Sequence, residues 1–383
     1  MHKSMPNKKF LFEGRLDKIV MECSRTKMVE RRIILMAQEK VSSNRIEYID
    51  ILKGIAVLLV IVGHCWTFSG KFINKIIMAF HMPLFFFVSG YLFKYTEAYK
   101  RDAIDVIIKK LKHLIIPYFM FEGINLLLSL IIRPYYGNLI HESMVIQSIV
   151  LCLNTSEYEG VCLRLWFLPA AFISCIYMLF ICKLKRYYDI EMNKFCFVTA
   201  FILFGVSFIF NKVVFQRLPF TMDISIMATG YMLLGVAFKE KVDIALYEQK
   251  RKLFIVGIIS FVVLCLCTKY NSAYFSMYLD VYGEFGFALI GSITGILMTV
   301  VLVHCFNIKN RFFKWLGKNS LVIFPVHLEI LFFLKWIFKN KFSAITAQYA
   351  FFAYFPLCLL ILFPIVCFIN KYCPLLNGRY NCC

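Results

Sequence analysis

Long apolar runs, separated by short polar segments, cover the chain from about residue 50 onward. A helix that crosses a membrane needs an apolar run of about 17–25 residues, and most of these runs reach that length. We identify ten candidate spans, of which the fifth and the seventh are short. They are Ile51–Phe68, Ile76–Phe93, Leu114–Ile132, Leu165–Cys182, Phe195–Phe210, Phe220–Phe238, Leu253–Cys267, Phe285–Phe306, Ser320–Phe338 and Tyr349–Ile369. The pattern predicts an all-α, polytopic membrane protein of about ten transmembrane helices.

Basic residues are concentrated in every second segment between the spans. Because lysine and arginine are enriched on the cytoplasmic side of membrane proteins, these segments predict which loops face the cytoplasm. Both termini are then cytoplasmic, and the regular alternation agrees with an even number of spans. The enriched segments hold Lys94, Lys100, Arg101, Lys109, Lys110 and Lys112; Lys183, Lys185, Arg186 and Lys194; Lys239, Lys241, Lys250, Arg251 and Lys252; and Lys309, Arg311, Lys314 and Lys318.

Composition supports the membrane assignment and changes how the charge is interpreted. The 383 residues are 60% hydrophobic, with 41 Phe and 21 Tyr, and the mean hydropathy is +0.71. A soluble domain is nearer half apolar. The formal net charge of +20 suggests a nucleic-acid partner at first, but its distribution between loops fits the positive-inside pattern instead. We therefore expect a multi-pass protein of the cell membrane that contacts membrane lipids and no nucleic acid.

The same pattern divides the chain into three regions. Residues 1–45 are polar and basic and lack the pattern of a signal peptide, so we expect a disordered N-terminal extension there. A cytoplasmic arm that lies on anionic lipid is the other interpretation of this segment. Residues 46–372 hold the spans, and residues 373–383 are expected to form a short cytoplasmic tail.

Cysteines and short motifs point away from metal sites and from soluble enzyme templates. The 15 cysteines include no C-x-x-C pair and no Cys/His ligand spacing, so no metal site is predicted. Cys152 and Cys162 flank the loop between spans three and four and could form a disulfide, although nothing in the sequence fixes their geometry. Gly-rich phosphate loops and G-x-S-x-G are absent, which leaves soluble nucleotide-binding and serine-hydrolase templates without support.

The first span carries a cation near one end and an imidazole towards the other. Lys53 precedes His64 by eleven residues, which is about three turns of an α-helix, so the two side chains share a face about 16 Å apart along the axis. Asp50, one turn before Lys53, lies on that face as well. Ionisable groups inside a membrane are costly and usually line a functional cavity. His64 is therefore the strongest candidate for a functional residue.

Other polar residues enter the spans at depths comparable with that of His64. His81 lies near the same end of the second span, where it could meet His64 or simply form an interhelical hydrogen bond. Trp166 fits both an interfacial aromatic belt and a substrate platform. Charges at the boundary of a span are often only solvated, so the roles of Arg164 and Asp223 stay open. His327, in the middle of span nine, is the next functional candidate after His64.

A basic cluster precedes the third span. Lys109, Lys110 and Lys112, followed by His113, lie on the predicted cytoplasmic side. The positive-inside rule alone explains these lysines. Close to Lys53, they could also hold the phosphates of an anionic ligand.

Five blocks of the sequence resemble the membrane acyltransferase-3 family, in the branch of fucose-4-O-acetylase-like and polysaccharide O-acetyltransferases. Their order and spacing cover almost the whole chain after residue 45. They are DILKGIA at Asp50–Ala56 with VGH at Val62–His64, FHMPLFFFVSGYLF at Phe80–Phe93, KKLKHLIIPY at Lys109–Tyr118, LWFL at Leu165–Leu168 and WLGKNSLVIFPVH at Trp315–His327. The family usually has Arg eleven residues before the first-span His. This chain has Lys53 there, which keeps the charge and loses the planar fork that binds phosphate with two hydrogen bonds.

The resemblance implies a ten-helix enzyme that moves an acetyl group from cytoplasmic acetyl-CoA to a hydroxyl of an extracytoplasmic sugar or polysaccharide precursor. Acetyl-CoA would be a substrate, and no tightly bound cofactor is expected. His64 and His81 would be catalytic, His64 as general base or as an acyl carrier. Lys53, Lys109, Lys110 and Lys112 would bind the donor, and Asp50 would belong to the donor site by orienting Lys53 through an ion pair on the same helix face. Arg164, Trp166, Asp223 and His327 would contact the acceptor. The alternative is a transporter or flippase of a glycan or small solute, although the internal repeats common in transporters are not visible.

Overall fold

The computed structural model describes residues 47–65, 71–93, 103–136, 165–214, 218–239, 250–306, 308, 310–338 and 350–378. Within these ranges the regular structure is helical, and the β contact found is an isolated antiparallel bridge between Ser276 and Val281. The prediction of an all-α fold is confirmed. The expected N-terminal extension at 1–45 and the Cys152–Cys162 pair lie outside the described residues. Residues Asp50–Cys383 belong to one compact unit, which holds the contacts discussed below.

Twelve helices lie within the described residues. They are α1 Glu47–Cys65, α2 Lys71–Tyr91, α3 Ala103–Lys110, α4 Ile116–Tyr136, α5 Phe167–Lys185, α6 Met192–Val213, α7 Met222–Ala237, α8 Lys250–Tyr270, α9 Phe285–Cys305, α10 Arg311–Lys318, α11 Ser320–Phe338 and α12 Ala350–Tyr372. A π-helical turn at Leu111–Ile115 joins α3 to α4, and 3-10 turns lie at Pro219–Thr221 and Pro374–Asn377.

Eight helices in the described part of the chain are long and apolar enough to cross a membrane, which confirms a multi-pass membrane protein. A further candidate is broken, because Arg311–Lys318 and Ser320–Lys335 meet at 89°. The predicted third span coincides with α4, part of whose side chains lie outside the description. The number ten therefore stays a prediction. The break before the ninth span was not predicted.

The fifth and seventh spans are longer than their apolar runs. Helix α6 has 22 residues and α8 has 21, so each has the length of a full membrane crossing. Polar residues at the ends account for the difference, since Lys212 lies in the last turn of α6 and Lys269 in that of α8. Helical hydrogen bonding continues through these polar residues although the apolar run has ended.

Helices α2 and α7 approach each other at two glycines. A Cβ atom on Gly90 would overlap the carbonyl oxygen of Met232, and one on Gly235 would overlap that of Phe87. Small residues let membrane helices pack backbone against backbone. This contact anchors the second half of α2 against α7, which is buried along almost its whole length.

The two ends of the helix assembly are named here the Lys53 end and the His64 end, after the residues of α1. The start of α2 and the end of α8 lie together, because the Lys75 ammonium donates to the Asn271 carbonyl oxygen at 2.8 Å. Gly63 faces Asn74 and Ile77 of α2, which places this group at the His64 end. The loop charges predict that the Lys53 end faces the cytoplasm.

Single reporter cysteines test this orientation. Reporters near Lys71 and Lys269 are expected to react with an impermeant maleimide on intact cells, because the loops there carry few basic residues. Reporters at Lys185 and Arg311 are expected to react only after permeabilisation. Labelling of the parent protein, with its native cysteines, is the background to subtract. The reverse pattern would contradict the predicted orientation.

Candidate functional site

Helix α1 runs without interruption from Glu47 to Cys65 and therefore carries Lys53 and His64 on one rigid element. Both side chains are half-buried, whereas Ile51, Leu52 and Ile61 beside them are fully buried. The eleven-residue spacing keeps the two polar groups about 16 Å apart along the axis. The helix thus links a cationic end to an imidazole end through apolar surroundings.

The imidazole of His64 lies beside that of His327 on α11. Their ring centroids are 5.4 Å apart and the rings are tilted by 45°. His327 is completely buried, whereas His64 keeps partial exposure. Two histidines from distant parts of the sequence thus form a pair, which we call the histidine pair.

A hydrogen bond fixes the tautomer of His327 when its ring is neutral. Its Nδ1 lies 3.0 Å from the carbonyl oxygen of Ile323, one turn earlier. Because a carbonyl only accepts, Nδ1 carries the proton and Nε2 keeps its lone pair. Nε2 is buried and has no hydrogen-bond partner among the described residues. A buried, unused acceptor beside His64 suits a group that accepts a proton during a reaction.

His81 has the same tautomer but a different position. Its Nδ1 donates to the Ile77 carbonyl oxygen at 2.8 Å, and the side chain is buried in α2. Gly63, next to His64, faces Asn74 and Ile77 of α2. His81 lies four residues after Ile77, which is about one helical turn, or ~6 Å, further along α2. The ring of His64 lies against that of His327, and a meeting of His64 with His81 stays a prediction.

The predicted donor-binding residues gather at the Lys53 end. Lys53 lies within the electrostatic reach of Asp50 and Lys110. His113 in turn lies within reach of Lys110, Lys53 and Lys109. We call Lys53, Lys109, Lys110 and His113 the basic cluster. Lys112, also predicted here, is exposed, as are Lys109 and His113.

His113 is held by the C-terminal segment. Its Nδ1 donates to the carbonyl oxygen of Gly378 at 3.2 Å. Desolvation lowers the pKa of His113, and the positive charges of Lys110 and Lys53 lower it further, while the hydrogen bond to Gly378 opposes the shift. The ring is therefore mainly neutral at pH 7, and an anion that neutralises the lysines would make it easier to protonate.

Helix α10 fixes the position of the basic end of α1. A Cβ atom on Gly54 would overlap the carbonyl oxygen of Phe313, and one on Gly317 would overlap that of Asp50. The two backbones therefore touch on both sides of Lys53. Asp50, predicted to orient Lys53, is thereby placed at this contact.

Three asparagine side chains connect the break between α10 and α11 to the C-terminal turn. Asn377 donates to Asn370 at 2.6 Å, and Asn370 donates to Asn319 at 2.7 Å. Asn319 then donates to the Trp315 carbonyl oxygen at 2.8 Å. Because each amide both donates and accepts, the chain ties α12 and the C-terminal turn to the 89° bend.

Aromatic rings extend from the histidine pair towards Trp166. Phe324 lies 6.0 Å from His327 and 5.3 Å from Phe167, measured between ring centroids. Phe167 lies 6.3 Å from Trp166, and Phe86 contacts both of these rings. Trp166 is 9% exposed, so it is mostly enclosed by protein. We call Trp166, Phe167 and Phe324 the aromatic wall.

Of the two remaining predicted acceptor contacts, the structure describes Asp223. Asp223 is buried in the first turn of α7. The helix begins directly after Phe220 and Thr221, which both have a left-handed backbone, with φ of 52° and 57°. Its carboxylate acts electrostatically on Tyr177 of α5, so Asp223 lies at the α5–α7 contact. Arg164 lies outside the described residues.

Sequence reasoning overlooked the aromatic and amide residues that surround the candidates. Phe324 precedes His327 by three positions, so helical spacing already placed the two on one face. Phe167 and Asn319 stand inside blocks that carried the family resemblance. Asn370 and Asn377 carried no comparable signal, because the residue that they connect to, Asn319, is about 50 positions away in sequence.

One comparison with known proteins found a match. The family model described as an acyltransferase domain matches residues 46–370, which is most of the chain. No curated protein matches the sequence, and no solved structure matches it either. The matched range contains α1 with Lys53 and His64, the basic cluster and His327. The chain therefore belongs to the membrane acyltransferase-3 family.

Proposed function

We propose that this protein transfers an acetyl group from cytoplasmic acetyl-CoA to a hydroxyl of an extracytoplasmic sugar or polysaccharide precursor at the cell membrane. The observation that carries the proposal is the arrangement along α1. A basic cluster lies around Lys53 and a histidine pair lies around His64, about 16 Å away along one helix. Family membership supports acyl transfer, and the two ends suggest where the donor and the acceptor bind.

The basic cluster suits the phosphates of the donor. Lys53 is repelled by Lys110 and attracted by Asp50, and the attraction is the stronger of the two, while Lys109 and Lys110 add further positive charge to the cluster. Like charges held together at the edge of a membrane are stabilised by an anion, and phosphate is the anion that lysines commonly bind in proteins. The uncharged pantetheine arm would then follow α1 through its apolar surroundings and deliver the thioester to His64.

The histidine pair suits the transfer step. An imidazole takes the proton from the acceptor hydroxyl as the oxygen attacks the thioester carbonyl carbon. The carbon–sulfur bond then breaks, the new ester remains on the sugar, and the proton passes to the departing CoA thiolate. We assign the base to His64 and give His327 the role of second proton acceptor, through its available Nε2.

His81 receives a smaller role in this scheme. Stabilising an oxyanion requires a donated hydrogen. In neutral His81 the proton lies on Nδ1 and is used by Ile77, so Nε2 has none to donate. We therefore propose that His81 positions α2 beside the site and does not contact the oxyanion.

Mass spectra of envelope glycans from host cells with and without the gene test the function. We expect O-acetyl groups that depend on the gene and disappear when it is replaced by the His64→Ala variant. A change in the amount of exported glycan, with unchanged acetylation and no effect of His64→Ala, would favour the transporter alternative and contradict the proposal.

A further inference from the structure

The connection between α8 and α9 has a fixed conformation. The Asn271 side chain donates to the Tyr282 carbonyl oxygen at 3.0 Å and accepts from the Glu284 amide at 2.8 Å. Ser276 and Val281 exchange two backbone hydrogen bonds, of 2.8 and 3.0 Å. One amide side chain thus joins the two ends of the loop, and a backbone pair closes its middle.

Helix α6, which is not connected to this loop in sequence, also holds it by hydrogen bonds. Asn211 of α6 donates to the carbonyl oxygen of Asp280 at 2.7 Å and to its carboxylate at 2.8 Å. Asp280 has φ of 55°, a left-handed conformation that a non-glycine residue adopts only when its surroundings hold it there. The Asp280 carboxylate also accepts from the Tyr282 hydroxyl. These hydrogen bonds hold the loop in one conformation against the helices.

This loop places Tyr278 against the aromatic wall. The ring centroids of Tyr278 and Trp166 are 6.2 Å apart, and the rings are tilted by 35°. Trp166 is buried, whereas Tyr278 is half-buried and keeps part of its surface accessible. The aromatic wall then leads from this accessible ring to His327 and His64.

We propose that Tyr278, backed by Trp166, is the platform on which the acceptor sugar stacks, and that it selects acceptors that present a flat apolar face of a pyranose ring. The inference rests on the proposed function and adds the acceptor subsite to it. Binding sites for small molecules are lined mainly by apolar and aromatic groups, with few polar groups to orient the ligand. Here the aromatic rings supply the contact surface and the histidine pair supplies the reacting groups.

The position of the platform favours the acceptor over the donor. The basic cluster, which suits the donor phosphates, lies at the opposite end of α1, about 16 Å from His64. A sugar stacked on Tyr278 would lie on the far side of the histidine pair from the CoA nucleotide.

The test uses the full-length protein in lipid nanodiscs and a panel of methyl pyranosides as probes. Saturation-transfer NMR measures binding without a donor, and radiolabelled acetyl-CoA measures transfer to the same sugars. For Tyr278→Ala we expect the acceptor KM to rise about 10-fold, the order expected when one aromatic stacking contact is lost, with an unchanged KM for acetyl-CoA. Tyr278→Phe should retain binding, because the ring is kept. Tyr274→Ala is the matched control, since this exposed ring lies on the same loop.

Each outcome decides a separate question. An unchanged acceptor KM and unchanged saturation transfer in Tyr278→Ala overturn the subsite, as does a wild-type protein that binds no pyranoside. If Tyr278→Ala does not fold, Tyr278→Leu replaces it with an apolar side chain that has no ring, and the same comparison applies. Pyranoside binding that depends on Tyr278 without any acetyl transfer would keep the subsite and remove the proposed function.

Discussion

Replacing His64 with alanine is expected to lower acetyl transfer by about 10²–10⁴-fold, the usual contribution of one acid–base group. The structure gives the reason, because His64 is the partly exposed member of the histidine pair. Its side chain packs little core, so the amount of protein in the membrane should stay near normal. Initial rates at saturating acetyl-CoA, normalised to the protein present, measure the effect.

Companion variants separate the roles of the three histidines. His327→Ala should also reduce kcat strongly, with little change in either KM, because its Nε2 is proposed to accept the proton that leaves the acceptor hydroxyl during transfer. His81→Ala should lose less activity, since its hydrogen bond stays within α2. His64→Gln keeps most of the side-chain volume and removes the basic nitrogen, so it controls for a packing defect. Near-normal rates in both His64 variants would remove this residue from the mechanism.

The same variants distinguish a general base from an acetyl carrier. If His64 carries the acetyl group, radiolabelled acetyl-CoA without acceptor should leave acid-labile label on the protein, and His64→Ala should abolish it. If His64 acts as a base, the wild-type protein should stay unlabelled under rapid quenching. Our mechanism predicts the unlabelled result.

The parts of the fold that the sequence predicted are those governed by local pattern. The apolar runs identified the membrane helices, and the eleven-residue spacing placed Lys53 and His64 on one helix, which is continuous in the structure. Both inferences need only the period of a helix. Contacts between distant segments were not accessible in this way. The pairing of His64 with His327, for example, depends on how α1 and α11 pack.

The bend at Asn319 shows why a boundary can be missed. The ninth span was predicted to begin at Ser320, and α11 does begin there. The separate helix α10 before it was not predicted, since Gly317 near its end does not by itself indicate an 89° bend. The turn is held instead by the side chain of Asn319 and by its link to Asn370, a contact that forms only in the folded protein.

Replacing Lys53 with glutamine is expected to raise the KM for acetyl-CoA by roughly 10- to 150-fold, with a smaller effect on the acceptor KM. A charge-assisted contact to phosphate contributes about 1.5–3 kcal/mol, which corresponds to that range of affinity. Lys53 lies about 16 Å along α1 from His64, too far to touch the reacting atoms, so kcat should change less than the donor KM. Its neighbours Lys110 and Asp50 place it in the basic cluster rather than against lipid alone.

Two further substitutions decide between donor binding and a purely topological role for Lys53. Lys53→Arg should retain activity and improve donor affinity, because its planar fork can bind a phosphate with two hydrogen bonds. Lys194→Gln removes an exposed charge from the start of α6, on the same predicted side of the membrane, and should leave the donor KM unchanged. If Lys53 serves only the positive-inside pattern and extends to lipid headgroups, Lys53→Gln will behave like Lys194→Gln. The donor KM at saturating acceptor, measured for all three variants, therefore decides whether Lys53 belongs to the donor site.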